Sequence, residues 1–131
     1  MPHTYSISES ERLVRVVCDG PGDLEEGAGL LARVAEDPCF AEGFGILVDV
    51  RTCVATMGSA DVHAFIEFLK TIKRLKSSRI AVVTANDLYY AFGRMMNILG
   101  GLGGISLRPF RSMSDARVWL GLAQRAAGAQ A

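Results

Sequence analysis

The chain has no excess of charge of either sign: 14 Lys and Arg balance 14 Asp and Glu over 131 residues. Such a balance lacks the basic footprint of a duplex nucleic-acid binder and the polybasic cluster that holds a protein on an anionic membrane. Cysteine is sparse, and Cys18, Cys39 and Cys53 share no CxxC or metal-type spacing. An odd count at irregular intervals argues against a disulfide framework and suits a reducing compartment, with each cysteine a small apolar filler. Histidine occurs twice, at His3 and His63, and no His, Cys or carboxylate cluster has ligand spacing. Neither metal nor cofactor is therefore expected. No apolar run approaches a membrane span, and Met1-Pro2-His3-Thr4 carries no charge into an apolar stretch. Signal peptide, anchor and integral membrane association are not expected, and the cytoplasm is the expected location.

What is present is a core. Half of the residues are apolar, enough for one domain over 1–125, with a frayed tail at Ala126–Ala131. Thr4–Ser8 and Arg12–Cys18 are β-prone runs joined as a hairpin. Asp23 opens a helix with Glu26 three residues on, the spacing of a capping box. Phe44–Val50 is a continuous apolar strand of the kind buried on both faces, and Arg51–Gly58 reads as a loop. The spacing of Val62, Phe65, Ile66, Phe68, Leu69, Ile72 and Leu75 predicts a helix over Ala60–Lys76. Arg79–Thr84 is a further buried strand. A third helix, capped by Asn86 or Asp87, has Leu88, Phe92, Met95, Met96 and Leu99 as its stripe. Ile105–Phe110 is the last strand, placed at an edge by Pro109. Ser112 caps a final helix with Ala116, Trp119, Leu120 and Ala123 facing in. The order ββαβαβαβα predicts an α/β fold: a mixed, mostly parallel five-stranded sheet with an N-terminal hairpin and four helices.

At Leu47-Val48-Asp49-Val50-Arg51, followed by a loop and the Ser59 helix, the chain resembles the SpoIIAA-like superfamily. That group contains the STAS domains and the related Sec14-type lipid carriers. The resemblance extends to the N-terminal hairpin, to Asp37-Pro38, Phe40 and Gly43-Phe44 before the central strand, and to Ala116, Trp119 and Leu120 near the end. It implies a right-handed βα superhelix with strands in sequential order. In STAS antagonists an Asp-Ser pair begins the second helix and its serine is phosphorylated. Counted from Asp49, those places fall on Met57 and Gly58, with Ser59 one residue late.

Two sets of candidate residues follow. The loop Thr52–Ser59 and the start of the second helix, with Thr56, Gly58, Ser59 and Asp61, form an expected partner-facing or regulatory surface of a non-enzymatic interaction module. Ser59 itself reads first as an N-cap. The alternative is an apolar ligand held between the third helix and the sheet by Tyr89, Phe92, Met95 and Met96, as the Sec14 likeness implies. Phe68 and Leu75, at the margin of the second helix's stripe, raise a homodimer. Catalysis is not expected. Ser59, Asp61 and His63 fail as a triad, because Asp61 points about 160° away from His63 on one helix. The GGLGG segment at 100–104 follows a helix instead of opening one, which is the wrong polarity for a phosphate cradle. Cys53, in the loop after the central strand, is the one position where a reactive thiol is considered.

Overall fold

Strand pairing follows the order of the chain. The computed structural model describes residues 3–122, so Ala123 and the tail lie outside the described residues. Its elements are β1 (His3–Ser8), β2 (Leu13–Pro21), α1 (Leu24–Glu36), β3 (Gly45–Val54), α2 (Ser59–Lys70), a 3-10 turn (Lys73–Leu75), β4 (Arg79–Val83), α3 (Asp87–Gly101), β5 (Ser106–Phe110) and α4 (Met113–Trp119). The sheet order is β1-β2-β3-β4-β5, antiparallel at β1/β2 and parallel thereafter. Right-handed crossovers that always step the same way place α1, α2 and α3 on one face. There they cover Val14, Val16, Ile46, Ile80 and Leu107. On the other face α4 covers Leu13, Leu47, Ala81, Val83 and Phe110. Alternate residues of β2, β3 and β4 thus enter different cores, which is why these strands read as unbroken apolar runs. No helix of the described residues is long and apolar enough to cross a membrane.

The helix starts are set locally. The Asp23 carboxylate accepts from the Glu26 amide at 2.7 Å, and Glu26 returns the contact by accepting from the Asp23 amide at 3.2 Å. Asn86 caps α3 through the Tyr89 amide, and Ser112 caps α4 through the Asp115 amide. At the far end of α1, Arg74 donates to the Ala35 carbonyl, which the helix leaves open, and to the Phe40 carbonyl in the following loop. β5 is an edge, as Pro109 requires, and Asn97 donates to its Leu107 carbonyl at 2.7 Å.

Several expectations change. Cys18 and Cys53 form a disulfide, and Cys39 is free and exposed. The cause is a register shift between β2 and β3: Val17 pairs with Asp49, but Asp19 pairs with Thr52. One extra residue in β3 reverses the alternation, so Cys53 turns to the face that carries Cys18. This pairing removes the cysteine-based ground for a reducing compartment and leaves no free thiol at Cys53. The same pairing extends β3 to Val54, where a loop was expected, because β2 continues through Pro21 and supplies partners.

The second helix stops at Lys70 instead of Lys76. The Thr71 hydroxyl donates to the Phe68 carbonyl at 2.6 Å, and Ile72 is extended. Leu75 belongs to the following turn and is fully buried, so it contributes nothing to an exposed stripe, whereas Phe68 is 41% exposed. Gly58 is the N-cap where Ser59 was expected: it is extended, and Val62 donates to its carbonyl at 3.2 Å. Leu88 lies on the outer side of α3, 60% exposed, like Ile98 and Leu102.

Candidate functional site

The helix-bearing face is not filled up to the strand tips. At the carboxyl ends of the parallel strands a hollow of about 100 Å³ lies under the amino-terminal ends of α1, α2 and α3. Val16, Val48, Val50, Ile80, Val82 and Leu107 form its sheet wall. Leu24, Gly27 and Leu31 of α1, Met57 and Phe65 at α2, and Tyr89, Phe92, Gly93 and Met96 of α3 form the roof. The lining grades from fully buried Ile80 and Leu107 to half-buried Leu24, Val50, Ala55 and Met57, which mark the rim.

The polar groups of this lining are few, and most are engaged. Asp23 is committed to the cap of α1. The Tyr89 hydroxyl reaches the backbone of Ala55. Cys53 is in the disulfide. Thr84 is 2% exposed, and its Oγ1 has no hydrogen-bond partner among the described residues. His3, at the β1 end, keeps its Nδ1 3.9 Å from Glu26, beyond hydrogen-bond range. Among the described residues, neither Lys nor Arg lines the hollow.

Of the four residues expected to line a pocket under the third helix, Tyr89, Phe92 and Met96 do so, whereas Met95 packs against the core without lining the hollow. The surface set is placed differently. Thr56, Gly58, Ser59 and Asp61 are all exposed around the leading turn of α2. Thr56 and Asp61 line a wider groove of about 610 Å³ between α1 and α2, together with Glu25 and Phe68, and Met57 borders both cavities. The Asp61 carboxylate accepts from the Gly58 amide at 2.8 Å, so it fastens the turn. Sequence reasoning did not single out Val48, Val50, Cys53, Met57 or Thr84 for the hollow. Val48, Val50 and Thr84 were legible as strand, but Cys53 lies past the point where alternation can be read.

The segment that carries the resemblance divides its work between the two faces. Val48 and Val50 enter the hollow, while Arg51 donates to Asp49 at 3.0 and 2.9 Å. The Arg51 side-chain hydrogen bonds hold the Asp49 carboxyl below its ordinary range, against the opposing effect of partial burial.

A crystal structure of an uncharacterized protein of the DUF3478 family from Shewanella loihica PV-4, described as having a SpoIIAA-like fold, is similar to this chain. The TM-score is 0.56 at 18% identity, covering 90% of this chain and 91% of that one. The chain therefore has a SpoIIAA-like fold, as the resemblance implies. No protein-family model and no curated protein matches the sequence.

Proposed function

We propose that this domain is a non-enzymatic carrier or sensor of a small apolar molecule held in the hollow at the strand tips. The observation behind this reading is the wall itself: valine, leucine, isoleucine, methionine and phenylalanine from seven elements converge on unfilled space. Apolar cavities of about 150 Å³ take benzene or xenon. A hollow of about 100 Å³ that opens at its rim suits a compact ring or the end of a longer chain. Xenon titration followed by methyl NMR tests this. Shifts should concentrate on Val48, Val82, Met96 and Leu107, and be lost in a space-filling Val48→Phe variant. Shifts scattered over the surface, or none, would overturn the reading.

A second reading, a protein-interaction module, is favoured by the exposed leading turn of α2 and the groove beside it, where Phe68 stands open. Its test is pull-down from native lysate with wild type, Ser59→Asp and Asp61→Ala. Capture unaffected by both changes rejects this surface.

A further inference from the structure

The hollow is apolar almost throughout, which makes its one buried, unengaged hydroxyl informative. Thr84 follows β4 directly, and its backbone amide donates to the Phe110 carbonyl at 2.9 Å, which fixes the residue in place. Its side chain shares the sheet face of Ile80 and Val82 and lines the hollow. At 2% exposure, a hydroxyl without a partner carries a desolvation cost that a bound polar group would relieve. Ser78 is equally buried and unpartnered, but it precedes β4 at the opposite end of the sheet and is no part of the lining.

Resting on the reading above, we infer that the ligand is a compact apolar molecule bearing one uncharged hydroxyl or carbonyl group, and that Thr84 Oγ1 is the hydrogen-bond partner of that group. The other polar side chains of the lining do not serve this end. Tyr89 spends its hydroxyl on Ala55, and the Asp23 carboxylate accepts from the Glu26 amide. His3 Nδ1 also lacks a hydrogen-bond partner among the described residues, but its side chain is 12% exposed and stands on β1, three strand spacings from Thr84, on the order of 14 Å. A carboxylate or phosphate end is disfavoured, because the described residues of the lining include neither Lys nor Arg to offset its desolvation. A purely hydrocarbon ligand would leave the Thr84 hydroxyl as unsatisfied as it is now. Thr84 thus selects by the neutral polar group, and the surrounding valines, Phe92 and Met96 select by size.

Cyclopentane, cyclopentanol and cyclopentanecarboxylate form a matched probe set, titrated by methyl NMR into wild type, Thr84→Val and Thr84→Ser. In wild type the alcohol should bind at least about tenfold more tightly than the carboxylate. Thr84→Val should weaken the alcohol about fivefold while leaving cyclopentane within about twofold. Thr84→Ser, which keeps the hydroxyl, should restore the preference. In wild type alone, nuclear Overhauser contacts should join the carbinol proton of the alcohol to the Thr84 methyl. Binding of cyclopentane and cyclopentanol with the same loss, or no loss, in Thr84→Val overturns the role of Thr84 and leaves the pocket standing. Carboxylate binding as tight as the alcohol overturns the neutral class. If no member of the set moves the pocket methyls, both this inference and the proposed function fall.

Discussion

Tyr89 grips Ala55 twice: its hydroxyl accepts from the Ala55 amide and donates to the Ala55 carbonyl, each at 2.8 Å. The first turn of α3 is thereby tied to the segment that leaves β3 for α2, across the rim of the hollow. In Tyr89→Phe both bonds are lost and two backbone groups must turn to water. A destabilisation of about 1–2 kcal/mol is expected in urea unfolding. Amide exchange at 55–58 should accelerate, while exchange in β4 stays unchanged. Equal exchange in both proteins would mean that the rim is held by other contacts.

The Cys18–Cys53 bridge closes a 35-residue separation that contains α1 and most of β3. Reduction should lower stability by about 3–4 kcal/mol, by loosening constraint on the unfolded chain. Thiol titration of unreduced, denatured protein should find one group, Cys39, and after reduction all three. Three groups without reductant would show that the bridge is absent in solution.

α3 packs tightly on β5 at Gly93, where a Cβ would stand 2.5 Å from Pro109 Cβ. Gly93→Ala must push the helix off the sheet, at a cost of about 1–3 kcal/mol, and should enlarge the hollow beside it. Uptake of an apolar fluorescent dye should rise. Gly101→Ala is the contrasting variant: open space surrounds that Cβ at the helix end, so stability should hold or rise by up to about 1 kcal/mol.

Asp37 joins the end of α1 to the sheet, accepting from the Cys39 amide at 2.9 Å and from the Tyr5 hydroxyl at 2.8 Å. The Cys39 amide first, and the Tyr5 hydroxyl second, hold its carboxyl below the ordinary value of 3.8. A lowered folded value means that the unfolded chain binds protons first on acidification. The contribution is therefore complete above about pH 4 and is lost as pH falls through the folded value. Tyr5 has the opposite sign. Its hydroxyl is raised above 10.0, chiefly by the bond to Asp37, so its contribution holds below that pH and disappears above it. Urea midpoints measured from pH 5 to pH 2 should fall less steeply for Asp37→Asn than for wild type. Parallel acid limbs would refute the assignment.

Much of the architecture was legible because the signals were local. The Asp23–Glu26 cap, the Asn86 and Ser112 caps and the edge placement of Pro109 depend on residues a few positions apart. The double burial of Ile46-Leu47 also shows in a short run. The exceptions depended on partners distant in sequence. Cys53 meets Cys18 only because a register shift turns it inward, and an irregular cysteine spacing carries no sign of that shift. The run to Leu75 kept a helical period although Thr71 ends the helix by taking a backbone carbonyl. Phe92 and Met96 were legible as the inner face of α3, but whether such a face closes on a solid core or on a hollow depends on how far the helix stands from the sheet. Thr84 was legible only as the last residue of the Arg79–Thr84 run, since a threonine at a strand end is ordinary until its surroundings prove dry.

The order of the strands leaves the sheet with two unequal rims. Phe110 turns its carbonyl inward to Thr84, so Leu107 and Pro109 present their backbone outward. Pro109 has no proton to give, and Asn97 already occupies the Leu107 carbonyl. A foreign β-strand would find this border stripped of two of its docking groups, and flanked by Arg108 and Arg111. Edge-to-edge growth, the first step of many β-aggregates, is thus obstructed on the β5 side by a ring and an amide, with no covering segment required.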